Sequence, residues 1–110
     1  MPDRSHRKTL QLCAQAARAI EFALAELSPD DDALDGVHVI SVDPLPGDPR
    51  LLVTVGLSTI TKETAPARVH ASLVRHTPRL RAEVADAISR KKVPDLFYRI
   101  AAPGDPARLP

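Results

Sequence analysis

The sequence is poor in the residues that build most catalytic and ligand-binding sites. Its 110 residues include no tryptophan, one tyrosine, two phenylalanines, four glycines and one cysteine. A single cysteine, Cys13, excludes a disulfide within the chain and is typical of proteins in a reducing cytosol. The glycines form neither a Walker motif, a GxGxxG loop nor a KH-type GxxG, so the sequence predicts no glycine-rich phosphate-binding loop.

Long apolar runs are also missing. No stretch reaches the roughly 18 apolar residues that a membrane span needs, and the basic start MPDRSHRKTL is not followed by the apolar block of a signal peptide. We therefore expect a soluble cytoplasmic protein that does not contact membranes. The hydrophobic share of 44% suffices for one aliphatic core, so we expect one domain over residues 1–101 and a disordered, proline-rich tail over residues 102–110.

Clusters of catalytic or metal-binding residues are not apparent. Cys13 has no second cysteine to share a metal with. Three consecutive aspartates at positions 30–32 are interpreted as a solvated turn, because adjacent carboxylates next to proline repel one another. We therefore predict no catalytic residues, no metal and no cofactor. The four histidines lie on different predicted elements: His6, His38, His70 and His76.

The charges are segregated along the chain, although the formal net charge is only +1. Residues 24–50 contain seven acidic residues and one basic residue, whereas residues 62–92 contain eight basic and three acidic residues. A molecule with one basic end can be steered onto phosphates. Two solvated faces of opposite sign remain the alternative interpretation of this pattern.

Apolar periodicity predicts one long helix followed by two strands. The helix covers residues 6–27 with Ser5 as its N-cap, and the strands cover residues 36–46 and 50–58. The proline-rich connection PLPGDP between the strands favours an antiparallel pair. The stripe of the helix that we expect to be buried consists of Leu10, Cys13, Ala17, Ile20, Leu24 and Leu27.

The second half of the chain predicts two helices and a strand. The first helix has Thr64 as its cap and Pro66 in its first turn, and it breaks near Thr77 because Pro78 follows. The second helix covers residues 78–92, and DLFYRI forms the last strand. The order α-β-β-α-kink-α-β predicts an α+β, type II KH-like domain, in which helices cover one face of a three-stranded sheet. The apolar side chains that we expect to be buried are Val69 and Leu73 in the first helix and Leu80, Val84, Ala87 and Ile88 in the second.

Three segments together resemble a known family. SHRKTLQLCAQAARAIEFAL, RLLVTVGLS with ARVHASL, and above all LRAEVADAISRKKVPDLFYRI are similar to segments of ribosome-binding factor A, a bacterial assembly factor of the small ribosomal subunit. The resemblance extends over roughly residues 6–101. In that family a small Ala-x-Gly kink separates the last two helices, whereas this chain has His76, Thr77 and Pro78; a proline can produce a kink by a different physical route.

The resemblance implies a non-enzymatic protein that binds the immature small (30S) ribosomal subunit and its rRNA and assists maturation of 16S rRNA. We further expect a monomer that does not bind DNA. An alternative is a KH-like RNA-binding or protein–protein module that is not dedicated to the ribosome.

Basic side chains are the candidate contacts to RNA. Three consecutive cations precede Val93, and one would suffice to stabilise the end of the predicted helix. Others flank the predicted break or open the first helix, and the sequence leaves open whether they form one face or separate patches. Phe97 and Tyr98 alternate on the last strand, so we expect at most one to face outward and both to serve in packing. The predicted RNA-binding residues are Arg4, Arg7, Lys8, Arg75, Arg79, Arg81, Arg90, Lys91 and Lys92.

Overall fold

A computed structural model describes residues 4–47, 49–58, 60–88 and 92–101, with the side chains of residues 4–6 left out. The tail at residues 102–110, which the sequence predicts to be disordered, lies outside the described residues. Two short 3-10 turns, Ser28–Asp30 and Asp32–Leu34, follow the first helix. The helices and strands are α1 (Arg4–Leu27), β1 (Val37–Pro44), β2 (Arg50–Leu57), α2 (Pro66–Arg75), α3 (Thr77–Ala87) and β3 (Asp95–Ala101).

The three strands form one sheet in the order β1-β2-β3. β1 and β2 are antiparallel, as predicted, and β2 and β3 are parallel. The helices lie on the face of β2 that carries Leu51, Val53, Val55 and Leu57, all of which are buried. This arrangement confirms the predicted α+β, KH-like fold. The opposite face, on which Phe97 is 39% exposed, we call the open face of the sheet.

The first helix differs from its prediction at both its start and its buried stripe. It begins at Arg4, so Ser5 lies inside the helix and the predicted N-cap is wrong; serine costs only about 0.5 kcal/mol in a helix interior, which does not stop the helix. Leu10, predicted to be buried, is 54% exposed, whereas Leu12 is buried. Cys13 is buried, as predicted.

The chain breaks between α2 and α3 at His76, next to the predicted position, and Pro78 lies in the first turn of α3. The cap predicted for α2 is wrong, because Ala65 occupies the N-cap position and makes no side-chain capping bond. Thr64 is engaged elsewhere: its hydroxyl accepts a hydrogen bond from the backbone N–H of Thr61, and its own N–H donates to the Thr61 hydroxyl.

The third helix ends at Ala87, five residues before its predicted end. Ile88 has extended backbone angles (φ −117°, ψ 154°), because its side chain turns into the core, where it is 7% exposed. Ala87, predicted to be buried, is exposed. Lys92 therefore lies beyond the helix and does not occupy the last turn that it was predicted to stabilise, whereas Arg90 and Lys91 lie outside the described residues.

Tyr98 ties β3 to the start of α3. Its hydroxyl lies 2.7 Å from the Thr77 hydroxyl, and the Thr77 hydroxyl also donates to the carbonyl of Leu73. Burial raises the pKa of Tyr98, and the hydrogen bond with Thr77 offsets only part of the rise.

Because Tyr98 is the only tyrosine, its titration can be followed by ultraviolet absorbance without interference. We expect the midpoint in the folded protein to lie above the ordinary value of 10.0. The same titration in concentrated urea is the control and should give the ordinary value. A folded-state midpoint at or below 10.0 would contradict the described packing.

Candidate nucleic-acid interface

Three parts of the chain meet at one end of the molecule. The first turns of α1, the β1–β2 connection and the segment before β3 surround a cavity of about 260 Å³. Gly47, with φ of 86°, provides the left-handed backbone conformation that the β1–β2 connection needs. The residues that line the cavity include Thr9, Leu12, Pro49, Arg50 and Pro94.

This end of the molecule, which we call the basic end, carries Arg7, Lys8, Arg50 and Lys92. All four are exposed, and among the described residues none of them forms an ion pair with a carboxylate. The first turn of α1 contains no acidic residue, so the positive pole of the helix dipole adds to the charge of these side chains. The basic end can therefore attract phosphate groups.

Other predicted binding residues belong to the same part of the chain. The backbone of Arg4 forms the first residue of α1. Arg90 and Lys91 lie outside the described residues, directly before Lys92. The sequence leaves open whether these cations form one face with Arg7 and Lys8, and their assignment to RNA binding stays a prediction.

Arg81 holds the segment that follows Lys92. Its guanidinium donates to the carbonyl of Val93 at 3.0 Å and to the carbonyl of Pro94 at 3.3 Å, and it lies 3.7 Å from the carboxylate of Asp95. These bonds occupy donors that would otherwise be available to a phosphate. Arg81 thus positions the segment leading out of the basic end.

Arg75 and Arg79 lie at the opposite end of the molecule. Arg79 pairs with Glu26 at 2.5 Å and with Glu83 at 3.1 Å, and Arg75 pairs with Asp31 at 2.8 Å. From Arg7 to Glu26 the axis of α1 rises about 28 Å. The nine predicted residues therefore do not form one face, and the charges of Arg75 and Arg79 are balanced locally by carboxylates.

Asp31 joins the loop after α1 to the break between α2 and α3. Its carboxylate accepts hydrogen bonds from Ser72 at 2.5 Å, Arg75 at 2.8 Å, His76 at 2.9 Å and the N–H of Ala33 at 3.0 Å. Because a carboxylate only accepts, Nε2 of His76 carries the proton in this contact. The interpretation of residues 30–32 as a solvated turn is therefore wrong for Asp31, whose side chain is 12% exposed.

The acidity of Asp31 reflects these contacts. Burial raises the pKa of its carboxyl group, but the hydrogen bonds from Ser72, His76, Ala33 and Arg75 outweigh burial and lower the pKa to about 2. The carboxylate is therefore ionised at neutral pH and holds the acidic loop against the helices.

The described residues contain no group of three or more His, Cys, Asp or Glu side chains placed to hold a metal ion. His70 packs edge-on against Tyr98, and His38 lies over Gly56, where an added Cβ would come within 2.6 Å of its Nε2. No helix within the described ranges is long and apolar enough to cross a membrane.

Sequence reasoning missed two cations on the open face of the sheet. The guanidinium of Arg50 lies 4.6 Å from the centre of the Phe97 ring, and Arg99 is two residues further along the same side of β3. Alternation along β3 could have grouped Phe97 with Arg99. The contact with Arg50 could not be found this way, because it depends on the parallel register that places Leu52 opposite Phe97.

Comparison with known proteins supports the fold. No protein-family model matches the chain, and no curated protein matches it. Among solved structures, the chain is similar to ribosome-binding factor A from Thermus thermophilus, with a TM-score of 0.69 and 23% sequence identity. The similarity covers 84% of this chain and 94% of that one. At this level of identity the likeness establishes a shared fold, which confirms the resemblance seen in the sequence at the level of structure.

Proposed function

We propose that this protein is a ribosome-binding factor A-like assembly factor that binds the immature small (30S) ribosomal subunit. Through its basic end it contacts the rRNA of the subunit and assists maturation of 16S rRNA without catalysing a reaction. The observation that carries the proposal is a fold shared with ribosome-binding factor A over 84% of the chain, combined with exposed cations at one end that form no ion pair among the described residues.

The basic end suits a folded RNA. Double-stranded RNA is recognised mainly through its shape, its phosphates and its 2′-hydroxyls, and each cation that neutralises a phosphate releases counterions. Contact with the phosphates is assigned to Arg7, Lys8 and Lys92, together with Arg4, Arg90 and Lys91 of the adjoining segments. Arg81 positions the segment after Lys92, and Arg75 and Arg79 stabilise the opposite end. The protein acts as a cytoplasmic monomer and binds neither DNA nor membranes.

A KH-like module that binds another protein is the second candidate. It is favoured by a largely uncharged groove of about 560 Å³ between the break of the helices and β3, lined among others by His70, Val74, Pro78 and Tyr98. Val74 is 52% exposed there. A partner that stays bound after nuclease treatment would support this function.

Sedimentation through sucrose gradients tests the proposed function. At low salt we expect the protein to travel with free small subunits, and at high salt to stay at the top, because phosphate contacts weaken as salt rises. Replacing Arg90, Lys91 and Lys92 together by alanine should reduce the bound fraction at low salt while leaving the thermal unfolding curve unchanged. Wild-type sedimentation of this variant would remove the three residues from the interface. Failure of the wild-type protein to bind at low salt would contradict the function itself.

A further inference from the structure

We propose that the open face of the sheet binds a single-stranded RNA segment adjoining the folded RNA at the basic end. The inference rests on the proposed function and adds a second surface to it. Phe97 is the stacking group, and Arg50 and Arg99 are the cations beside it. We call these three residues the sheet strip.

The sheet strip combines a flat apolar group with positive charge. The Phe97 ring is 39% exposed, although aromatic residues make up only 3% of the chain. The Arg50 guanidinium lies 4.6 Å from the ring centre and donates one hydrogen bond to the carbonyl of Pro46 at 3.1 Å, so a planar cation is held on the ring. Proteins that bind single strands use aromatic rings and guanidinium planes to stack bases, with cations along the backbone path.

Acidic residues border the strip but do not cover it. On the same side of β3, the Asp95 carboxylate lies 3.7 Å from Arg81. Asp43, on the far strand β1, accepts a hydrogen bond from the Ser41 hydroxyl at 3.2 Å. No ion pair involving Arg50 or Arg99 occurs among the described residues. The half of the face formed by β2 and β3 is therefore complementary to a negatively charged strand.

Arg50 makes the strip continuous with the basic end. It lines the cavity there together with Thr9 of α1 and Pro94, and its guanidinium extends over Phe97. An RNA duplex held by Arg7 and Lys8 could pass its unpaired end directly across Arg50 onto the sheet. A peptide would not need this path between two positively charged surfaces, which favours nucleic acid as the occupant.

Fluorescence anisotropy with labelled RNA tests the proposal. The probes are a blunt hairpin, the same hairpin with a short oligouridine extension at its 3′ or its 5′ end, and oligouridine alone. We expect the wild-type protein to bind at least one extended hairpin roughly five- to tenfold more tightly than the blunt one. Phe97→Leu and Arg99→Gln should lose most of this gain in affinity for the extended hairpin and should bind the blunt hairpin as the wild type does.

Phe22→Ala is the matched control, because Phe22 is an exposed aromatic residue (58%) in a groove between α1 and α3. This variant should keep the full gain in affinity that the extension provides. Thermal unfolding of each variant shows that the fold is retained.

The outcomes separate the two proposals. A wild-type protein that binds the blunt hairpin but gains nothing from either extension overturns the sheet strip and leaves the proposed function standing. Binding of oligouridine lost in Phe97→Leu, without binding of the hairpin, supports the strip and contradicts binding of folded RNA. If Phe97→Leu keeps the gain in affinity for the extended hairpin but loses a protein contact on purified small subunits, the open face binds protein and the proposal is overturned.

Discussion

Replacing Asp31 by asparagine is expected to lower the free energy of unfolding by about 2–4 kcal/mol. The substitution removes the negative charge that pairs with Arg75 and leaves the donors of Ser72 and His76 with a weaker acceptor. Because a domain of this size is typically stable by about 5–15 kcal/mol, the loss should appear as a clear fall in the urea midpoint of unfolding. Chemical denaturation followed by circular dichroism measures it.

Asp32→Asn is the matched control, since Asp32 is the next carboxylate in the chain and is exposed. It should change the free energy of unfolding by less than about 0.5 kcal/mol. Equal effects of the two substitutions would show that Asp31 does not hold the acidic loop against α2.

The same contacts set a pH dependence with a defined sign. The pKa of Asp31 is lowered from 3.8 to about 2 on folding, so the unfolded chain binds a proton more readily than the folded one. The stabilisation, about 2 kcal/mol, is complete above about pH 4 and is lost as the pH falls from there towards 2. The difference in stability between the wild type and Asp31→Asn should therefore shrink over this acidic window. A difference that stays constant down to pH 2 would contradict the assignment.

Replacing Arg7 and Lys8 together by alanine is expected to weaken binding to free small subunits roughly thirtyfold at low salt. Each exposed cation that contacts a phosphate is assigned about 1 kcal/mol, and 1.4 kcal/mol corresponds to a tenfold change. Both side chains are exposed in the first turns of α1, so the fold should be unaffected. Anisotropy of the labelled protein, titrated with purified subunits, measures the affinity.

Lys62→Ala with Arg68→Ala is the matched control, because it removes the same charge from exposed positions that follow Leu57, the end of β2 away from Arg50 and the basic end. This pair should weaken binding less than threefold, as a loss of long-range attraction alone. Equal weakening by both pairs would mean that net charge, and not the basic end, determines affinity.

The elements of the fold were largely predictable because each depends on local signals. Apolar alternation predicted β2 with its buried Val53 and Val55, and Pro78 predicted the break beside His76. The type II KH-like arrangement followed from the order of the elements and from the resemblance to ribosome-binding factor A. Short-range capping failed at Thr64 because a hydroxyl can satisfy several nearby backbone groups at similar energy, and here it accepts from the N–H of Thr61. It failed at Ser5 because serine costs too little in a helix to stop it.

The candidate site was only partly predictable, because it depends on contacts between distant residues. Arg75 and Asp31 are 44 positions apart and Arg79 and Glu26 are 53 apart, so no local pattern could reveal that these cations are paired. Arg81 is likewise a candidate cation in the sequence, but in the fold its guanidinium donates hydrogen bonds to backbone carbonyls. A count of positive residues identified the charged segments, and only the tertiary structure showed which of the described cations are paired with carboxylates.

The salt dependence of binding to free small subunits tests most directly whether the basic end binds the phosphates of rRNA. The slope of log affinity against log salt falls by about one for each phosphate contact that is removed. The account predicts that alanine at positions 7 and 8 makes this slope shallower by about two, while alanine at positions 62 and 68 leaves it at the wild-type value. Identical slopes for all three proteins would contradict it.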